Sequence, residues 1–190
     1  MPTAINAALL FLINTLFDLY LFVLIIRLIL VYVGANYFDP LTQFIVKLTD
    51  PIIKPLRRLA PNFKRIELAT LLFVFFLECI KFALISFLSF GGPNLFGLLL
   101  LAASDSIKLI ILTFFYAIIL GALLSWIQPS SRIIQVVYQI TSPVMRPFQR
   151  FIPAINGIDI SPIFAIIFLY LLIILIVDPL SNLGISLTIT

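Results

Sequence analysis

Residues 49–67 read TDPIIKPLRRLAPNFKRIE, and residues 141–159 read TSPVMRPFQRFIPAINGID. Set one above the other, they match without a gap. Thr49 falls on Thr141, Pro51 on Pro143, Pro55 on Pro147, Arg58 on Arg150, Pro61 on Pro153 and Ile66 on Ile158. Lys54 is answered by Arg146 and Glu67 by Asp159, so charge is kept where identity is not. Prolines held in register across two stretches mark a tandem duplication. The duplicated unit is a basic, proline-spaced hairpin between two very apolar segments.

The composition gives the class. Hydrophobic residues make up 63% of the 190, charged residues 11%, and the mean hydropathy is +1.24. Soluble domains run at about 45–50% apolar and about 25% charged. Runs such as LFVLIIRLILVYV (21–33) and IFAIIFLYLLIILIV (163–177) have too few polar positions to give a helix a wet face. About 20 mainly apolar residues cross a bilayer core. Only helices or closed barrels satisfy the backbone there, and these runs lack the alternation of barrel strands. The expectation is an all-α integral membrane protein with spans near 20–37, 68–87, 108–126 and 160–177. The N-terminus has no basic leader and reads as retained, not as a signal peptide. Gly91-Gly92-Pro93-Asn94 is the clearest turn signal and divides the chain into repeats 1–90 and 91–190, each a span, a hairpin and a span.

Apolar lead-ins at 7–17 and 95–103 precede the first and third spans. Either they extend those helices or they lie in the interface. Nine of the twelve Lys and Arg lie in the hairpins: Lys47, Lys54, Arg57, Arg58, Lys64 and Arg65, then Arg132, Arg146 and Arg150. Positive segments stay cytoplasmic, and both hairpins follow an odd-numbered span. One orientation therefore suits both, with the termini on the outer side of an inner (plasma) membrane and the repeats parallel. Tyr37 and Trp126 fall at matching hairpin ends, where interfacial aromatics are expected.

Each hairpin reads in two parts. Asp39 and Pro40 are residue types preferred at a helix N-cap and first position. Leu41, Phe44, Ile45 and Leu48 then share a face, as do Ile133, Val136, Val137 and Ile140 in the second copy. That spacing predicts amphipathic helices in the headgroup plane. In the second part Pro55 and Pro147 each open a further turn, and Lys54, Arg57 and Arg58 stand three and four apart. Several such cations attract anionic lipid at about 1 kcal/mol each; alternatively they only set topology. Arg58 and Arg150, matched across the copies, are expected to brace the hairpins onto helix C-terminal carbonyls or onto Glu67 and Asp159.

Arg27, Glu78 and Lys81 lie well inside spans. Arg27 stands twelve residues before Asp39, and Glu78 eleven after Glu67. With the two hairpin ends level, both sit about 17 Å deep, and Lys81 can join them. An unpaired charge there costs about 2.5–3.5 kcal/mol or more, so Arg27, Glu78 and Lys81 are expected to form one intramembrane cluster. It reads as an ion pair joining the first two spans or as a polar pathway. Tyr116, Tyr170 and Ile173 stand at these places in the second copy.

TSPVMRPFQRFIP followed by NGIDISPI resembles the signature of the YggT family of bacterial inner-membrane proteins, with YlmG-type relatives in Gram-positive bacteria and chloroplasts. The resemblance covers essentially the whole chain. Its motif falls on Thr141, Pro143, Arg146, Pro147, Arg150, Pro153, Gly157, Asp159, Ser161 and Pro162; the first copy has Lys64-Arg65 and Ala69-Thr70 where the second has Asn156-Gly157 and Ser161-Pro162. The resemblance implies roles around membrane assembly: association with cell-division factors, osmotic-stress tolerance with ion uptake, and in plastids maturation of a cytochrome complex.

The expected function is that of a non-enzymatic scaffold or assembly factor acting through two basic hairpins. The alternative is an ion-transport or osmotic-stress component using Arg27, Glu78 and Lys81. The chain has no histidine and one cysteine, Cys79, which removes the commonest metal ligand and general base and excludes an internal disulfide. No cofactor, metal site or catalytic residue is expected. The expected partners are anionic membrane lipids, other membrane, division or assembly proteins, and further copies of the chain packed through small residues such as Gly121 and Ala122. Nucleic acid is not among them.

Overall fold

The computed structural model describes residues 4–58, 60–90, 94–127, 131–152 and 159–189. Those residues are helical throughout, apart from short turns. In chain order they are α1 (Ala4–Val33), α2 (Pro40–Leu56), α3 (Leu68–Phe90), α4 (Leu95–Ile127), α5 (Arg132–Phe151), α6 (Ser161–Leu172) and α7 (Asp178–Ile189). A π-helical turn, Ile173–Val177, joins the last two, so that Ser161–Thr188 runs as one rod. Four helical rods are long and apolar enough to cross a membrane, as the expected integral membrane fold requires. The turn residues Gly91-Gly92-Pro93 at the expected repeat boundary lie outside the described residues. Asn94 follows them, and its side-chain oxygen accepts from the Phe96 N–H to open α4.

The lead-ins extend the spans. α1 has 30 residues and α4 has 33, about 45–50 Å of helix. Apolar sequence continues through both lead-ins, and no residue there stops the helix. The fourth rod is also longer than expected, running twelve residues past 177. Its π turn closes with the Asp178 N–H donating to the Ile173 carbonyl, just ahead of Pro179. A proline ring crowds the carbonyl four residues back, and a widened turn accommodates that.

α7 is held by a close crossing with α4. Gly97 and Gly184 face each other there. A Cβ on Gly97 would sit 2.9 Å from the Gly184 carbonyl oxygen, and one on Gly184 would sit 2.8 Å from Leu101 Cγ. Small residues let backbones approach in this way in a membrane, where no hydrophobic drive brings helices together. Gly121 serves the same purpose between α4 and α5, buried with its Cβ position 3.2 Å from Val137. Gly121, one of the small residues expected to serve an oligomer, thus packs against α5 within the chain.

Two apolar cores result. The first gathers Leu21, Leu24, Ile25 and Ile29 of α1, Ile45 and Ile53 of α2, Ala69 and Val74 of α3, and also Val136 and Ile140 of α5. The second gathers Ile111 and Ile118 of α4, Met145 of α5, and Ala165, Leu169, Ile173 and Val177. α5 therefore packs into both cores and locks the halves together. Large apolar side chains cover much of the outside, among them Phe11, Leu16, Phe76, Phe87 and Leu175, the surface that lipid tails solvate.

The hairpins depart from the two-part reading. α2 runs unbroken through Pro51 and Pro55, and α5 through Pro143 and Pro147. Each proline gives up one backbone hydrogen bond, but tertiary packing of the helix face outweighs that local cost. The buried face of α2 is Thr42, Ile45, Thr49 and Ile53, whereas Phe44 and Leu48 turn outward. In α5 the face Val136, Val137 and Ile140 is buried as read, and Ile133 is exposed. Asp39 stands at the N-cap of α2 without a side-chain cap bond; Ser131 caps α5 by accepting from the Ile134 N–H.

The α4–α7 crossing yields a test. Gly97→Ala should lower the thermal midpoint of the purified protein, at an overpacking cost of about 1–3 kcal/mol. Gly34→Ala, at a positive φ but in open space, should cost about 1–2 kcal/mol through backbone strain alone. A Gly97→Ala variant as stable as the parent protein would show that the crossing is not tight.

Candidate functional site

α1, α2 and α3 meet at a buried arginine. The Arg27 Nε donates to Glu67 Oε2 at 2.8 Å and its Nη2 to Glu67 Oε1 at 3.2 Å. Its Nη1 donates to Thr49 Oγ1 at 2.6 Å and to Asp50 Oδ1 at 2.8 Å. Arg27 and Glu67 are 1% and 0% exposed. Glu67 is satisfied further by the Thr70 hydroxyl, 2.6 Å away, and by the guanidinium of Arg57. Asp50 in turn takes Lys54 at 2.8 Å. The planar guanidinium presents donors on several edges, which is why one arginine can hold two elements against a third.

Burial alone would raise the Glu67 carboxyl. Hydrogen bonds from Arg27 and Thr70, with the Arg27 charge and the Arg57 hydrogen bond, outweigh it and hold the group below the ordinary glutamate value. Asp50 behaves likewise: burial pushes it up, and Lys54 and Arg27 hold it down. Both carboxylates therefore stay ionised at neutral pH, as a charge-paired network needs.

This geometry corrects two expectations. Arg27 does not meet Glu78. The first turn of α3 lies beside Arg27, six residues before the end of α1, so the two hairpin ends are not level and Glu78 is carried eleven residues past the arginine. Arg58 and Arg150 are not the braces either; both are exposed. The brace is the preceding residue in each copy, Arg57 to Glu67 and Gln149 to Asp159, the latter at 2.9 Å. Position 58 lies in the turn past the end of α2 and is exposed.

The second copy keeps the brace without the arginine. Tyr116, exposed, stands where Arg27 would. Asp159 instead accepts from the Ser161 N–H at 2.9 Å and from its hydroxyl, opening α6 at Ser161-Pro162. Burial raises the Asp159 carboxyl, and the Ser161 and Gln149 hydrogen bonds outweigh that to hold it below its ordinary value. Of the remaining motif residues, Pro51, Lys54, Pro55, Pro61, Arg146 and Pro147 are exposed and Pro143 is half-buried. Pro153 and Gly157 lie outside the described residues, and so does the Trp126 side chain.

A second charged cluster sits near mid-span. The Lys81 Nζ lies 2.9 Å from Asp18 Oδ1 on α1 and 2.8 Å from Glu78 Oε2 on its own helix, and it pairs with Asp105 of α4. Lys81 and Glu78 are fully buried. The expected trio is thus divided: Glu78 and Lys81 stay together, Arg27 belongs to the hairpin end, and Asp18 and Asp105 join in. The signal was in the charge order. α1 carries Asp18 then Arg27, Glu67 just precedes α3 and Lys81 lies within it, and antiparallel packing matches both pairs.

A profile of the CCB3/YggT family matches residues 6–88 and 100–180. The chain belongs to the CCB3/YggT family. YggT of Escherichia coli K12 is 37% identical over 169 residues, covering 85% of each chain. An uncharacterized protein of Pseudomonas aeruginosa is 36% identical over 181 residues, 93% of this chain and 92% of its own. One of Vibrio alginolyticus is 42% identical over 154 residues, 80% of this chain and 83% of its own. No solved structure matches. The family match falls on two stretches, each holding one hairpin.

The network around Arg27 generates a double-mutant test. Arg27→Leu or Glu67→Leu alone strands a buried charge and should cost about 3–5 kcal/mol, and the pair together should recover much of that. Arg27→Leu combined with Glu78→Leu should show no recovery. The measurement is thermal unfolding in detergent; coupling to Glu78 in place of Glu67 would refute the arrangement.

Proposed function

We propose that this member of the CCB3/YggT family is a non-enzymatic scaffold of the bacterial inner membrane, whose basic hairpins face the cytoplasm and engage anionic lipid headgroups and partner proteins. The observation that carries the reading is the sorting of charge. The carboxylates Glu67 and Asp50 are drawn inward by Arg27, while Lys47, Arg58, Lys64, Arg65, Arg132, Arg146 and Arg150 are left exposed. Beside those cations Phe38, Phe44, Phe63 and Phe151 are also exposed. Aromatic and apolar groups next to Lys and Arg suit the boundary between acyl chains and headgroups. A groove of about 510 Å³ lined by Tyr37, Gln43, Lys47, Asp50, Pro51 and Lys54 opens at the same level. Each cation near an anionic surface adds about 1 kcal/mol of attraction. The absence of histidine from the sequence and the engagement of the Ser161 hydroxyl with Asp159 support a non-catalytic role. Ion transport is the second reading; it rests on Lys81, Glu78, Asp18 and Asp105 without Arg27, and potassium or sodium flux in proteoliposomes tests it.

Orientation follows from the same charges. In a Cys79→Ser background, cysteines at Lys54 and Arg146 should react with impermeant reagents only from the cytoplasm, and one at Asn94 only from outside. Hairpins on opposite sides would refute parallel repeats.

Lipid engagement is tested with the purified full chain. Phosphatidylglycerol should raise its thermal midpoint more than phosphatidylcholine does. Replacing Arg58, Lys64 and Arg65 with Gln should remove about half or more of that difference, on the scale of 1 kcal/mol per cation, and leave the lipid-free midpoint unchanged. An equal response to the two lipids in the parent protein would sink the headgroup reading.

A further inference from the structure

We propose that the pocket between the end of α1 and the start of α2 binds one singly charged phosphate group, received by Thr42, Lys54 and Arg57 above a floor set by Arg27. As a lipid site it rests on the hairpin reading, and it deepens that reading by adding one defined site to a diffuse attraction.

The pocket has a volume of about 450 Å³, inside the range of about 300–1,000 Å³ for small-molecule sites. It adjoins the groove beside Lys47 and shares Tyr37, Asp50 and Lys54 with it. Arg27, Thr42, Asp50, Lys54 and Arg57 supply polar lining, and Leu30, Val31, Ala35 and Val46 supply apolar lining. Gly34 leaves the wall open, with nothing within 4 Å of the place where a Cβ would stand.

The deciding group is Thr42. It is 4% exposed and lines the pocket, yet its hydroxyl meets no hydrogen-bond partner among the described residues. Buried polar atoms are ordinarily paired. Other threonines of this chain pair by turning back onto their own helix: Thr49 donates to the Ile45 carbonyl and Thr113 to the Leu109 carbonyl, each at 2.7 Å. Thr42 is the third residue of α2 and has no earlier helical turn to donate to. Its hydroxyl is left for what enters the pocket, at the helix end whose N–H groups and dipole favour an anion.

The cations agree. Arg27, Lys54 and Arg57 stand against the two carboxylates they pair with, Asp50 and Glu67, so one positive charge is left over. Arg27 is engaged by Glu67, Thr49 and Asp50 and so fixes the floor. Arg57 uses Nε and Nη2 on Glu67 and keeps Nη1 without a partner among the described residues. Lys54 is exposed beyond its contact with Asp50. A hydroxyl, a guanidinium edge and an ammonium suit an oxyanion with several acceptor oxygens, phosphate above all. A phosphodiester carries a single negative charge, which matches the surplus. The apolar lining points to a lipid as its carrier, because an inorganic ion gains nothing from apolar contact. The second copy has Tyr116 and Gln149 at the places of Arg27 and Arg57, so the site occurs once per chain.

The test titrates the purified full chain, in nonionic detergent, with phosphatidylglycerol or phosphatidylcholine and follows thermal unfolding. Phosphatidylglycerol should raise the midpoint saturably. Thr42→Val keeps the shape of the side chain and should raise the half-saturating concentration about tenfold. It should leave the lipid-free midpoint unchanged or higher, since an unpaired buried hydroxyl is removed. Lys54→Gln should raise the half-saturating concentration about fivefold, the equivalent of about 1 kcal/mol per cation. Sodium phosphate against sodium chloride, at equal ionic strength and pH, probes the free ion. A phosphate response that depends on Thr42, without a phosphatidylglycerol response, would support the site and overturn its lipid carrier. Flat midpoints with both probes would overturn the proposal without any variant. So would a Thr42→Val protein with the parent's affinity, or with a lowered lipid-free midpoint, which would show that the hydroxyl serves the fold. A lipid response kept in Thr42→Val but lost on replacing Arg58, Lys64 and Arg65 would sink the site and leave the hairpin reading standing. The reverse would sink the reading of the exposed cations alone.

Discussion

Arg27 could not be buried without Glu67, and the fold at the hairpin end is arranged around that pair. Removing each ion from water costs several kcal/mol, which only close and fully hydrogen-bonded contact offsets. The arginine meets this by reaching Glu67 at the start of α3 and Thr49 and Asp50 on α2. Three elements are thereby fixed relative to one another, and the depth at which α3 begins follows from it. Asp18 stands nine residues before Arg27 and Glu78 eleven after Glu67, about 14 and 17 Å along antiparallel helices. The mid-span contact with Lys81 is then a consequence of the first.

Duplication gave two hairpins that each begin with a proline-bearing helix but differ in internal chemistry. The brace survives in both, as Arg57 with Glu67 and as Gln149 with Asp159. With Tyr116 in place of Arg27, the second copy has no cation to draw Asp159 inward, and that carboxylate serves the start of α6 instead. α5 nevertheless carries the more completely buried apolar face, and it reaches from its own core into the first. The first hairpin is anchored by charge and the second by packing.

The apolar exterior and the glycine crossings belong together. In lipid, helices gain little from hiding apolar surface, so association depends on close backbone contact and on polar pairs. Gly97 with Gly184 and Gly121 with Val137 provide the contact; the two ionic clusters provide the pairs. The basic residues left over are exposed on the hairpins.

Composition and periodicity determined that the chain is a four-span helical membrane protein with two basic amphipathic hairpins, because a bilayer dictates length and polarity residue by residue. The repeat alignment likewise located the bracing carboxylates Glu67 and Asp159. Local rules failed where packing outweighed them: prolines 51, 55, 143 and 147 remain inside helices whose buried faces hold them, and α7 stays helical because α4 closes on it. Only the tertiary structure decided which charges meet. Counting residues fixes spacing within a helix, but the offset between two helices is set by the contacts that cross between them. Here the offset is set by Arg27 on Glu67, which moves Glu78 away from the arginine and into the company of Lys81, Asp18 and Asp105.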